Sequence, residues 1–260
     1  MAQSTTANQG FGLGALGKAD DLRRRLLFTI GALIIYRLGT FIPLPGIDPV
    51  ALADVFSQQS TGILGMFDMF SGGALGRMTI FALNIMPYIT AAIIMQLMTA
   101  VVPSLEAMKK DGEAGRKQIN QYTRYLTVLL ASVQGYGIAA ALEASGTIVQ
   151  DPGLFFRITT VVTLVGGTLF LMWLGEQITS RGVGNGISLI IFSGIIAEVP
   201  SALVGTLELG RTGALSAFLI VAVFFMAVAV IAFIVFIERS LRKIIIQYPK
   251  RQHGAKAFGG

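Results

Sequence analysis

Six long apolar stretches constrain the fold of this sequence more than any other feature. Only 13% of its residues are charged and 53% are hydrophobic, whereas a soluble domain carries about 25% charged residues. A helix needs roughly 20 mostly apolar residues to cross a bilayer. Unpaired strand edges are not stable in lipid, and these runs are too continuous for barrel strands, so we expect helices. The predicted spans are residues 26–44, 78–102, 125–142, 158–175, 186–206 and 212–237.

The basic residues between these stretches indicate an orientation. With a cytoplasmic N-terminus, the cytoplasmic segments hold sixteen of the 20 Lys and Arg residues, the outer segments hold three, and Arg37 lies inside the first span. Positive charge collects on the cytoplasmic side of membrane proteins. This bias explains the net charge of +6, so nucleic-acid binding is not needed to account for it. The topology places segments 1–25, 103–124, 176–185 and 238–260 in the cytoplasm and loop 45–77 outside.

The residue types needed for chemistry are scarce. There is no cysteine, and His253 is the only histidine, so disulfides, thiol catalysis and Cys or His metal clusters are excluded. The acidic residues nearest the spans stand at their ends, at Glu143, Glu176, Glu198 and Glu238. We therefore predict no catalytic site, no cofactor and no carboxylate proton relay. The polar, Gly-rich first 20 residues predict no removable signal peptide.

The outer loop contains a short apolar stretch from Gly62 to Gly73. Apolar stretches of 10 to 14 residues are too short to span and are often re-entrant or interfacial. An ordinary interfacial loop helix is the alternative. Arg37 is the one charge that looks buried, and snorkelling or a helix–helix hydrogen bond explains it more simply than a substrate role.

Six motifs follow one another along the chain. They are Arg37–Gly46 (RLGTFIPLPG), Phe70–Ala74 (FSGGA), Ile80–Gln96, Lys110–Arg116 followed by Gln121–Tyr125, Trp173–Ser188, and Glu238-Arg239 with Tyr248 and Lys250-Arg251. In sequence and in order these motifs resemble the SecY family, whose members form the channel of the Sec translocon. The resemblance covers the chain from about residue 15.

This resemblance implies an all-α membrane protein with ten spans in two halves related by an inverted repeat. The chain corresponds to the N-terminal half, with six transmembrane helices and a short re-entrant plug helix. Because it stops at Gly260 inside the family's large cytoplasmic loop, we expect four more spans in the complete protein. The implied function is passage of unfolded polypeptides across the bacterial plasma (inner) membrane, with lateral release of membrane segments. Half of a secondary transporter for small solutes is the alternative.

The resemblance also implies three sites at the membrane. The matching pore-ring positions are Ile85, Ile89, Ile187 and Ile191, for which lipid-facing or core isoleucines are the alternative. Thr90 and Gln134 match polar positions of the lateral gate. The plug corresponds to Gly62, Ile63, Leu64, Gly65, Met66, Phe67, Asp68, Met69, Phe70, Ser71, Gly72 and Gly73.

The partners implied by the resemblance are the SecE and SecG subunits, the SecA motor, the ribosome, signal sequences, nascent polypeptides and the lipid bilayer. Basic cytoplasmic loops attract rRNA phosphates through counterion release. Orientation of the chain by positive charge explains the same residues. The docking positions are Arg181, Arg242, Lys243, Tyr248, Lys250 and Arg251.

Overall fold

The computed structural model describes residues 20–59, 65, 68–69, 71–240, 251–253 and 256–258, with the backbone alone for 57–59, 251–253 and 256–258. The described residues form eight helices and one pair of strands. These elements are α1 (Asp20–Gly39), α2 (Pro49–Gln59), α3 (Met86–Val101), α4 (Pro103–Lys110), α5 (Glu113–Ala144), α6 (Leu154–Arg181), α7 (Gly186–Arg211), α8 (Ala217–Glu238), β1 (Arg251–His253) and β2 (Lys256–Phe258).

Four of the described helices, α5 to α8, are long and apolar enough to cross a membrane. The count becomes five if α3 and α4 form one span, although their axes differ by 98°. Helix α1 is also 20 residues long, but two aspartates and four arginines make it much less apolar. The fold is helical, as the sequence predicts.

The second predicted span, residues 78–102, is helical only from Met86 to Val101. Met78 and Asn84 have φ angles of 42° and 49°, a left-handed conformation that a right-handed helix cannot continue through. Residues 72–85 therefore form turns. Pro87 stands in the first turn of α3, where its missing N–H costs no helical hydrogen bond.

The first predicted span, residues 26–44, also ends early, because α1 stops at Gly39. The chain then runs antiparallel to the turns before α3. The Leu44 N–H donates to Met78 O at 2.9 Å, and the Ile80 N–H donates to Ile42 O at 3.0 Å. These long-range backbone hydrogen bonds replace the helical ones that the prediction assumed.

The core of the first compact unit, Met1–Pro200, is built around α5 and α6. One face of α5 buries small residues four positions apart, namely Thr123, Thr127, Ala131, Gly135 and Ala139. Small residues allow helix backbones to approach closely in a membrane. A Cβ on Gly135 would lie 3.6 Å from the Val161 Cα of α6. Helix α5 also packs against α3, and α6 packs against α1.

The second compact unit is Ser201–Gly260, and Pro200 at the boundary lies inside α7. Within this unit α8 buries no residue. A helix that is apolar on every side needs lipid or protein around it. Strands β1 and β2 pair antiparallel, with Arg251 opposite Phe258. This pair of strands is an exception to the all-α prediction.

Candidate functional site

The predicted pore-ring isoleucines begin two helices that the fold brings together. Ile85 is only 1% exposed and belongs to an apolar cluster with Tyr36 and Phe81. Ile89 and Ile187 are partly buried and pack against the same cluster. Ile191 is also partly buried. The structure thus places Ile85 inside the core of this unit and leaves the other three partly accessible.

Helix α7 is held in place at its first residue. The Asn185 side-chain oxygen accepts from the Ile187 N–H at 3.1 Å, which caps the helix. The Gly186 N–H donates to Thr179 Oγ1 of α6 at 2.8 Å. A Cβ on Gly186 would stand 2.0 Å from Gly175 O, so only glycine fits there. This glycine contact fixes Ile187 against α6.

The two predicted gate residues line one cavity of about 830 Å³. Thr90 of α3 and Gln134 of α5 reach it from opposite helices, and α2 and residues 71–86 supply other walls. The Thr90 hydroxyl donates to Met86 O of its own helix at 3.0 Å. Gln134 is exposed, so it offers an accessible polar group beside a mostly apolar space.

Half of the predicted plug lies in the described part of the chain. Gly62, Ile63, Leu64, Met66, Phe67 and Phe70 lie outside the described residues. Gly65, Asp68, Met69, Ser71, Gly72 and Gly73 are described.

Asp68 ties the described end of this segment into a compact turn. Its Oδ1 accepts from the Gly76 N–H at 2.7 Å and from Ser71 Oγ at 3.3 Å. The Ser71 hydroxyl also donates to Asp68 O at 2.8 Å. Charge-assisted hydrogen bonds of this kind are stronger than neutral ones, so the turn is held by a side chain within the segment itself.

Two neighbouring residues of α1 bind the same segment. Arg37 Nη1 donates to Gly72 O at 2.8 Å, and Tyr36 Oη donates to Ser71 O at 3.3 Å. The predicted snorkelling or helix–helix bond of Arg37 is replaced by a bond to a loop carbonyl. Arg77 Nη2 also donates to Gly72 O, at 2.9 Å. Sequence reasoning missed both Tyr36 and Arg77 as partners of this segment. An arginine inside an apolar stretch was the one available signal.

The predicted docking residues are almost all outside the described side chains. Arg181 is exposed in the last turn of α6, where a cation interacts favourably with the helix dipole. Arg242, Lys243, Tyr248 and Lys250 lie outside the described residues, and only the backbone of Arg251, in β1, is described.

Comparison with known proteins gives one family. The family model described as SecY matches residues 79–259. A "Protein translocase subunit SecY" of Rickettsia conorii is 59% identical over 93% of this chain. The protein of that name from Escherichia coli K12 is 53% identical over 94% of the chain. The chain spans 57% and 56% of the lengths of these two relatives.

Two solved structures share the fold at low sequence identity. They are "Sec61 in the Canine ribosome-channel complex from the endoplasmic reticulum" and "The structure of a protein conducting channel". Each has a TM-score of 0.50, is 19% identical, and is matched over 73% of this chain and 38% of its own. At this identity the likeness concerns the fold alone.

Proposed function

This chain belongs to the SecY family, and we propose that it forms the larger part of the central subunit of a protein-conducting channel. The channel passes unfolded polypeptides across the plasma membrane and releases membrane segments sideways into the lipid. The observation that carries the proposal is the 53–59% identity to translocase subunits over at least 93% of the chain. The alternative, half of a small-solute transporter, has no support from these comparisons.

The chain is part of a multi-pass membrane protein, and we propose six spans with a cytoplasmic N-terminus in a bacterial inner membrane. The charge bias supports this orientation. Helix α1 has 20 residues and is about 30 Å long, and its charged start, residues 20–25, lies on the cytoplasmic side in this topology. A second half, related by an inverted repeat, completes the channel in the whole protein.

The proposed constriction uses apolar side chains and no chemistry. Isoleucines do not hydrate ions, and a narrow apolar neck closes by losing its water. The partly buried side chains of Ile89, Ile187 and Ile191 are the positions available to line this neck. Ile85 supports them from behind, because it packs with Tyr36 and Phe81. No covalent bond is made or broken as a polypeptide passes.

The proposed plug closes the constriction from the outer side, and the proposed gate opens the channel sideways to the lipid. The segment Gly62–Gly73 closes the channel from the outer side and leaves when a polypeptide enters. Thr90 and Gln134 belong to a gate that opens to the lipid. Helices α3 and α5 form one side of this gate, and the second half of the channel forms the other. Their shared apolar cavity supports this assignment, because an apolar signal sequence replaces weak polar contacts there at little cost.

The proposed partners are SecE, SecG, the SecA motor and the ribosome. The docking positions proposed for the SecA motor and the ribosome are Arg181, Arg242, Lys243, Tyr248, Lys250 and Arg251. Opposite charge on a motor or on rRNA speeds association and makes it salt-dependent. The relatives' shared name as translocase subunits supports partners of this class.

The test is reconstitution of the complete subunit, with its SecE and SecG partners, into liposomes. We expect a secretory precursor to become protease-protected when SecA and ATP are added. A precursor without its signal sequence is the control, and it should remain digestible. Ion-driven uptake of a small solute with no precursor protection would overturn the proposal.

A further inference from the structure

We infer that Arg37 is a positioning residue that holds the described end of the outer closing segment, residues 71–73, in place by binding the carbonyl of Gly72. The group that does this, called here the Gly72 anchor, consists of Arg37, Phe41, Gly72, Arg77 and Glu198. The inference rests on the proposed channel function and goes beyond it, since it assigns a residue that sets how readily the closing segment moves.

Two guanidinium groups bind one backbone oxygen in this anchor. Arg37 Nη1 approaches Gly72 O from α1 at 2.8 Å, and Arg77 Nη2 approaches it from the following turns at 2.9 Å. A carbonyl oxygen has two lone pairs and can accept both bonds. The acceptor is therefore fully used, and both donors are charged, which strengthens each hydrogen bond.

Phe41 and Glu198 offset the repulsion between these two cations. The Cζ atoms of Arg37 and Arg77 lie 5.0 Å and 4.7 Å from the centre of the Phe41 ring, within the range of cation–π attraction. Glu198 Oε1 lies 2.9 Å from the position a Cβ on Gly73 would take, and Arg77 Nη2 lies 2.8 Å from the same position. The Glu198 carboxylate is therefore close to the Arg77 guanidinium.

Gly72 is the residue that makes this arrangement possible. Its φ angle is +65°, and a Cβ would lie 3.0 Å from the Gly194 Cα of α7 and 3.2 Å from Arg37 Nη1. Only glycine accepts both the left-handed conformation and the close approach. Helix α1, the end of the closing segment and α7 thus meet at Gly72.

The Arg37 bond to Gly72 O influences how readily the closing segment is released. Breaking its bond to Gly72 O leaves Arg77 as the single charged donor to that carbonyl. The balance between seated and released states of the segment then shifts towards release. A lysine at position 37 keeps a charged donor but loses the flat guanidinium that faces Phe41, so it should restore the anchor only in part.

The experiment uses a single cysteine to measure how accessible the end of the closing segment is to solvent. This chain has no cysteine, and Ser71, next to the anchor, is 3% exposed. Ser71→Cys is introduced into the complete subunit with no other cysteine, in proteoliposomes. The rate of its modification by a membrane-impermeant maleimide from the outer side is then measured, together with the leak of a small ion.

We expect Arg37→Gln to raise the modification rate about tenfold, which corresponds to the loss of one hydrogen bond to a charged group. The ion leak should rise with it, and Arg37→Lys should fall between wild type and Arg37→Gln. The matched control is Arg211→Gln, which removes an exposed arginine that pairs with Glu208 and should leave both readouts unchanged. An unchanged rate in Arg37→Gln overturns the inference.

A second variant covers failure of Arg37→Gln to accumulate. Phe41→Leu keeps an apolar side chain and removes the ring that both guanidinium groups contact. A faster modification of Ser71→Cys in this variant supports the anchor, and an unchanged rate overturns it. Protease protection of a precursor by the wild-type subunit is measured in the same kind of vesicle. Protection with an unchanged modification rate contradicts the anchor alone, whereas absence of protection contradicts the proposed channel function.

Discussion

Arg124 donates to both carboxylate oxygens of Glu176, at 2.8 Å and 2.7 Å, although 52 positions separate the two residues. The pair joins α5 to α6 near the ends that we propose to be cytoplasmic. Both side chains remain partly exposed, at 49% and 36%. Solvent screening therefore limits the strength of the pair despite its two-pronged geometry.

A double-mutant cycle should show a modest coupling across this pair. We expect Arg124→Gln and Glu176→Gln to reveal a coupling free energy of about 1 kcal/mol, since exposed pairs contribute about 0.2–1 kcal/mol and this one has three hydrogen bonds. Unfolding in detergent with rising denaturant measures it. The control cycle uses Arg211 and Glu208, three positions apart in α7. A coupling above about 3 kcal/mol would indicate a buried pair instead.

Two adjacent glycines of α6 should respond differently to alanine. A Cβ on Gly167 would stand 2.0 Å from the Ile80 carbonyl oxygen, whereas a Cβ on Gly166 has nothing within 4 Å. We expect Gly167→Ala to lower the free energy of unfolding by about 1–3 kcal/mol through overpacking. Gly166→Ala should be neutral or stabilising by up to about 1 kcal/mol, because alanine favours helix. Thermal unfolding of the two purified variants measures the difference, and equal melting temperatures would contradict the close approach.

The pore-ring proposal predicts that replacing Ile85 or Ile191 increases the leak of small solutes, and that the change at Ile85 also lowers the stability of the fold. Ile191→Gly and Ile85→Gly in the complete subunit should both raise the leak of small solutes through resting vesicles. Because Ile85 is 1% exposed, Ile85→Gly should also destabilise the fold. An Ile→Ala change in a core typically costs about 2–5 kcal/mol, and we expect at least that loss here. Vesicle conductance and unfolding are measured in parallel. An unchanged leak in both variants rules out the ring assignment.

The gate proposal predicts contact between Gln134 and a signal sequence. A cysteine at Gln134 should cross-link to a probe in a stalled precursor's signal sequence, because Gln134 lines the cavity shared with Thr90. A cysteine at Val133 is the control. Val133 is 65% exposed but points about 100° away around the same helix. Cross-linking is read by gel shift, and equal yields at the two positions would mean that the signal sequence lies elsewhere.

Local composition was sufficient for the long helices of this protein. Residues 125–142, 158–175 and 186–206 were predicted as spans, and each lies within a longer helix, α5, α6 or α7. The bilayer demands a minimum apolar length and internal backbone hydrogen bonds. Both demands can be read from one stretch of sequence at a time.

Contacts between distant residues decided the rest. The early start predicted for α3 was wrong because Met78 and Asn84 are left-handed, and residues 78–80 bond instead to residues 42–44.

Arg37 binds the carbonyl oxygen of Gly72, 35 positions away. No sequence pattern identifies that carbonyl as its acceptor. Apolar length is a property of each segment by itself, and the sequence determined it alone. The partner of a polar group depends on which backbone the packed helices bring within about 3 Å, and only the tertiary structure decided that.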